Sequence, residues 1–137
     1  MQHIVLDTNC LIQSISFHSK FHPIWQSIMK GENILCVSND ILDEYLEVLL
    51  RFFDEEYSFL VINTIVNNRN TKFITPYFRF NLIAADPDDN KFVDCAVTAG
   101  SKYIVTNDKH FDVLKNIDFP KVEIINLIDF LNQLTNK

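Results

Sequence analysis

Acidic side chains at four places could do chemistry together. Asp7 closes the run His3-Ile4-Val5-Leu6, Glu44 sits inside an apolar helical pattern, Asp89 ends the cluster Asp86-Pro87-Asp88-Asp89, and Asp108 follows Tyr103-Ile104-Val105. Carboxylates brought together repel one another, and without a counter-charge some must take up protons. Hard divalent cations such as Mg2+ or Mn2+ resolve that repulsion, because they prefer oxygen ligands and keep waters in their shell. One or two such ions activate a water for in-line attack on a phosphodiester and stabilise the leaving oxygen. If one edge of the fold gathers these acids, the chemistry is metal-assisted phosphodiester hydrolysis.

The elements around the acids favour such a gathering. Ile4-Val5-Leu6 and Tyr103-Ile104-Val105 are short β-rich runs without polar alternation, as buried parallel strands require. In open parallel sheets, ligands bind in the crevice outside the carboxyl ends of the strands, where Asp7 and Asp108 stand. Between them, Phe92, Val93, Ala96, Val97 and Gly100 recur at helical spacing, so the segment is an amphipathic helix ended by its glycine. Asp89 lies three and four residues before Phe92 and Val93, on or beside the stripe that faces the core.

The remaining chain alternates helices and strands. Cys10 to Phe17 begins a helix after the first strand, and Pro23 suits the first turn of a helix through Met29 that Gly31 ends. Ile34 to Val37 is a second buried strand, with Ser38 capping the next helix. On that helix Ile41, Leu42, Tyr45, Leu46, Val48 and Leu49 form the apolar face. Glu44 falls beside this face, where a carboxylate needs a cation, a donor or a metal. Asp40, Asp43 and Glu47 face water. A helix from about Asp54 to Asn68 turns Tyr57, Leu60, Val61, Thr64 and Ile65 inward. Lys72 to Thr75 and Val122 to Ile125 are further strands, and Leu127 to Leu134 is a last helix; Tyr77 to Ala85 carries no assignable pattern. The order implies an α/β fold, a three-layer α/β/α sandwich with a mainly parallel central sheet, in one domain spanning 1–137.

The 47% apolar and 22% charged content are those of a globular chain, not a disordered one. Cys10, Cys36 and Cys95 lack CxxC spacing and lie in apolar runs, which suits buried thiols in a reducing cytoplasm. The chain starts directly with a strand, so no signal peptide is expected, and no uncharged apolar run is long enough to span a membrane. A net charge of −6 argues against tight sequence-independent binding of nucleic acid by this chain alone. It does not exclude a nuclease whose cations neutralise its acids.

Each acid also has a plainer reading. Asp7 could cap the following helix, Asp89 could serve a helix dipole, Glu44 could pair with Arg51 or a lysine, and Asp108 could cap a short helix containing His110, Phe111 and Leu114, a role open to Thr106 and Asn107 too. Asp94 is either a solvated face residue or a supporting ligand. His3, His18, His22 and His110 make no metal spacing, which suits surface or cap roles. A haloacid-dehalogenase-type hydrolase needs an Asp where Asn9 stands, and the acid pair and late lysine of a receiver domain are missing from their expected places.

Four segments in order, Ile4-Val5-Leu6-Asp7-Thr8-Asn9, Ser38-Asn39-Asp40-Ile41-Leu42-Asp43-Glu44-Tyr45, Asp86-Pro87-Asp88-Asp89-Asn90-Lys91-Phe92 and Ile104-Val105-Thr106-Asn107-Asp108 with Phe111, together resemble the PIN-domain nucleases. The Glu-Tyr pair and the Asp-Pro-Asp-Asp-Asn-Lys-Phe run look most like the bacterial subgroup of toxin components of toxin–antitoxin systems (VapC-like). The resemblance implies an endoribonuclease acting on single-stranded RNA with Mg2+ or Mn2+, a homodimer, and a cognate antitoxin. By position, Asp7, Glu44, Asp89 and Asp108 match the family's catalytic and metal-binding acids, and Thr8, Asn9 and Thr106 its polar supports, with Asn107 and Asp94 as further supporting candidates. The competing expectation is a catalytically silent interaction or nucleic-acid-binding module of the same fold.

Overall fold

A computed structural model describes residues 1–135, so the last two positions of the expected 1–137 domain lie outside the described residues. In chain order it runs β1 (Gln2–Leu6), α1 (Thr8–Ile15), α2 (His22–Met29), β2 (Asn33–Val37), α3 (Asn39–Phe52), α4 (Glu55–Asn67), β3 (Lys72–Phe73), a 3-10 turn (Pro87–Asp89), α5 (Asn90–Ala99), β4 (Tyr103–Val105), a 3-10 segment (Lys109–Asn116), β5 (Ile124–Ile125) and α6 (Leu127–Thr135).

The five strands form one sheet in the order β3-β2-β1-β4-β5, and every pairing is parallel. Side chains of a strand alternate between faces, so consecutive buried residues mean that both faces are covered. Ile4, Val5 and Leu6 of β1, Leu35, Cys36 and Val37 of β2, and Ile104 and Val105 of β4 are all buried, which gives the expected layered sandwich. The three cysteines are buried free thiols, and burial pushes those of Cys10 and Cys95 up to about 12.

Chain order leaves β1 with β2 on one side and β4 on the other. That reversal of direction opens a crevice at the carboxyl ends of β1 and β4. The register Leu6↔Val105 sets Asp7 and Thr106 side by side just beyond it, and Asp7 N–H continues the ladder to Val105 O at 3.0 Å. Helix α3 is tied to the same edge: the fully buried Tyr45 donates its hydroxyl to Leu6 O at 2.6 Å. Ser38 caps α3 through Ile41 N, as its sequence position suggests. Gly100 ends α5 in the left-handed region at φ 64°, the conformation in which a Cβ is disfavoured.

Several boundaries and faces differ from the sequence reading. Helix α1 begins at Thr8 instead of Cys10 and stops at Ile15, leaving Phe17 exposed. Strands β3 and β5 shrink to two residues each at the sheet edges. Helix α4 turns Ser58, Val61 and Ile65 inward and leaves Leu60 59% exposed. Its apolar residues lie nearly all round the helix, so periodicity alone does not select the buried face. The unassigned stretch is irregular backbone from 74 to 86 that docks onto α5: Asn90 both donates to Ile83 O and accepts from Ile83 N, each at 2.9 Å, and Ile83 is buried.

Because the Tyr45 hydroxyl is fully buried against its acceptor, Tyr45→Phe is expected to lower stability by about 1–2 kcal/mol. Urea denaturation checks this as a lower midpoint at unchanged slope; an unchanged midpoint would mean that this bond adds nothing net.

Candidate metal centre

Asp7 follows β1 directly and leads into α1, yet its side chain makes no capping bond to that helix. Instead Thr106, at the same position after β4, donates its hydroxyl to Asp7 Oδ2 at 2.8 Å. The Thr106 oxygen in turn accepts from Asp108 N at 3.0 Å, so one threonine spaces two acids. Only 7% of Asp7 is exposed. Burial raises its carboxyl above the usual range, the Thr106 and Thr8 hydrogen bonds oppose the rise, and the charges of Asp108 and Glu44 add to it.

Glu44 reaches the edge from α3. Thr8, one residue after Asp7, donates its hydroxyl to Glu44 Oε2, and Lys91 Nζ lies 2.8 Å from Glu44 Oε1. The lysine comes from α5, so this ion pair ties α3 to α5 across the crevice; Arg51 pairs with Glu47 instead. Asp108 starts the 3-10 segment as its cap, accepting from His110 N at 2.9 Å.

Asp89 is the most demanding of the four. It is 8% exposed, and its Oδ2 is buried without a hydrogen-bond partner among the described residues. Burial first, then the charges of Asp108, Asp86 and Asp7, push its carboxyl up to about 7 against the weaker pull of His110. That oxygen makes no hydrogen bond among the described residues, its near neighbour is His110 Nδ1 at 3.5 Å, and carboxylates such as Asp7, Asp89 and Asp108 are oxygen donors of the kind that suit Mg2+ or Mn2+.

The remaining sequence candidates fall in different places. Asn9 is exposed and lines a cleft of about 300 Å3 with Asp7, Ile12, Gln13, Phe52, Asn107 and Asp108. Asn107 accepts from Leu127 N at 3.1 Å and so also anchors the start of α6. Asp94 is not a solvated face residue: it is buried on α5 and accepts from Phe80 N at 3.0 Å, pinning the irregular segment, with no hydrogen bond or ion pair to the four acids. Two residues have roles that the sequence did not assign to them. Lys91 is the lysine partner that the plainer reading of Glu44 allows for, although the sequence does not single it out, and its pairing with Glu44 bridges two helices. His110, read as a surface or cap residue, places Nδ1 3.5 Å from Asp89 Oδ2 and 3.4 Å from Asp108 Oδ1, and it forms with Asp86 and Asp89 a group whose ligand atoms lie within 4.8 Å of one another. Its spacing to Asp86 is closed by the fold, not by any helix or hairpin period.

The raised Asp89 carboxyl has a thermodynamic consequence. Its folded value of about 7 lies above that of an unfolded Asp, about 3.9. The folded chain therefore keeps a proton that the unfolded chain releases; the stability gained is full below about pH 4 and is lost as pH rises through about 7. In chelator, Asp89→Asn is expected to melt several degrees above wild type at pH 8 and to lose that advantage toward pH 4. Thermal melts across this window check it, and parallel curves would contradict it.

Comparison with known proteins identifies the family and the fold. The family model described as the PIN domain matches residues 3–110, a span that contains all four acids. A search of curated proteins gives no match. Among solved structures, VapBC2 from Rickettsia felis bound to a promoter DNA fragment superposes at TM-score 0.64 and 15% identity, over 90% of this chain and 98% of that one. DNA-bound VapBC from Salmonella typhimurium gives TM-score 0.62 and 17% identity, over 93% and 99%. The PIN domain endonuclease Utp24 gives 0.54 and 16%, over 90% and 84%. At such identities these likenesses establish the fold. With the family model matched over most of its length, the chain belongs to the PIN domain family.

Proposed function

We propose that this chain is a Mg2+- or Mn2+-dependent endoribonuclease that hydrolyses phosphodiester bonds of single-stranded RNA, and that it is the toxin of a toxin–antitoxin pair. The observation that carries the enzymatic reading is the buried Asp89 carboxylate, whose Oδ2 makes no hydrogen bond among the described residues although the charges of Asp108, Asp86 and Asp7 bear on it, near the carboxyl edge of a parallel sheet. Asp7, Glu44, Asp89 and Asp108 would hold one or two ions. When bound, such an ion neutralises the acids, lowers the pKa of a coordinated water and stabilises the leaving oxygen.

The chain's own groups set the terms. Thr106 fixes Asp7 and Asp108 relative to each other, while Thr8 and Lys91 hold both oxygens of Glu44, so the acids are positioned before any ligand arrives. Lys91 also supplies a cation beside an otherwise acidic edge. The cleft on Asp7 and Asp108 includes Phe52, which is 67% exposed, with Asn9 and Gln13 as hydrogen-bonding groups. An exposed ring beside the acids suits an unpaired base that stacks, which favours a single strand over a duplex.

The toxin role is supported by the fold likeness to VapBC structures. Exposed Leu50 and Phe52 on α3 and Phe59 and Leu60 on α4 offer apolar surface to an antitoxin or to a second copy of the chain in a homodimer. No helix among the described residues is long and apolar enough to cross a membrane. We take 1–137 as one PIN-like domain working in the cytoplasm.

Mixed-sequence single-stranded RNA incubated with purified protein tests the reading. Cleavage should require Mg2+ or Mn2+ and fall by about 100-fold or more in Asp7→Asn and Asp89→Asn. Folded, metal-binding protein that leaves every RNA intact would instead point to a silent module; cleavage surviving both substitutions would place the chemistry elsewhere.

A further inference from the structure

We propose that Asp86, Asp89 and His110 form a mixed nitrogen and oxygen subsite that selects Mn2+ over Mg2+, sharing Asp89 with the four-acid centre. The inference rests on reading those acids as a cation-binding centre and adds to it a ligand of a different kind.

The three side chains come from separate places: Asp86 from the end of the irregular segment, Asp89 from the turn before α5, and His110 from the 3-10 segment after β4. Each offers a ligand atom within 4.8 Å of the other two. The buried Asp89 Oδ2 makes no hydrogen bond among the described residues and stands 3.5 Å from His110 Nδ1, so it is aimed into the group. Asp86 uses Oδ1 to accept from Asp88 N, which orients its carboxylate. The histidine ring is half exposed, and its Nδ1 also stands 3.4 Å from Asp108 Oδ1.

Ligand chemistry decides the selectivity. Mg2+ prefers oxygen and gives up its waters reluctantly, whereas the later first-row divalent ions take imidazole nitrogen readily, and Mn2+ stands between them. A centre of carboxylates alone treats Mg2+ and Mn2+ much alike. One imidazole at its rim shifts the balance toward Mn2+, and because Asp89 serves both sets of ligands, the ion at this subsite is adjacent to the scissile centre.

Mn2+ alone is the probe, added to the full chain without RNA. Electron spin-echo envelope modulation of the bound ion should show nitrogen coupling in wild type and none in His110→Gln, a variant of an exposed ring that leaves the core intact. Titration calorimetry should show Mn2+ affinity about tenfold or more weaker in His110→Gln and in Asp86→Asn, which retains the Asp88 N–H acceptor, with a smaller loss for Mg2+. Bound Mn2+ without nitrogen coupling, or coupling that persists in His110→Gln, overturns the subsite while leaving the four-acid centre standing. Absence of Mn2+ binding to folded wild type overturns both.

Discussion

Electrostatic repulsion among carboxylates that the sheet holds in place is the constraint around which this protein is arranged. Parallel strands β1 and β4 are adjacent, and their register delivers Asp7 and Thr106 side by side. Several polar side chains near that edge hold an acid in place or offset its charge. Thr106 bonds Asp7 and the backbone of Asp108, Thr8 and Lys91 occupy Glu44, and Tyr45 locks α3 to the last residue of β1. Asp89 keeps a buried oxygen that makes no hydrogen bond among the described residues, with His110 Nδ1 3.5 Å away. Burial and mutual charge raise the carboxyls of Asp7 and Asp89, a pattern that marks candidate functional sites.

The surroundings do little to relieve that repulsion. Lys91 is committed to Glu44, His110 stands 3.5 Å from Asp89, and the chain as a whole carries a net charge of −6. A ligand that binds only the folded state stabilises it by mass action, so a divalent cation held by Asp89 would be linked both to folding and to the protonation of that carboxyl. The same scarcity of basic side chains bears on substrate. A polyanion gains little from a surface of this net charge unless cations offset the acids.

Much of this was legible in the sequence, for identifiable reasons. Uninterrupted apolar runs ending in Asp marked the buried parallel strands and their carboxyl edge, and a Pro-led acidic turn before an amphipathic stripe placed Asp89 at the margin of the core. What stayed hidden depends on contacts between distant segments. The docking of residues 74–86 rests on Asn90 and Asp94 bonding to backbone, which has no periodic signature, and it turns Asp94 from a surface acid into a buried clamp. Lys91 and His110 acquire their roles only when α3 and the segment after β4 are brought to the same edge. Leu60 was misplaced because α4 is apolar on more than one face, so that its neighbour α3, not its own pattern, selects which side is buried.

The most direct test of the central claim is the position of a bound cation. A crystal equilibrated with Mn2+ and measured near the manganese absorption edge would locate the ion by its anomalous signal, independently of any assay of turnover. The account predicts a peak in contact with the carboxylates of Asp7 and Asp89, at the carboxyl ends of β1 and β4. A well-ordered site without such a peak, or a peak held by acids elsewhere on the surface, would contradict it.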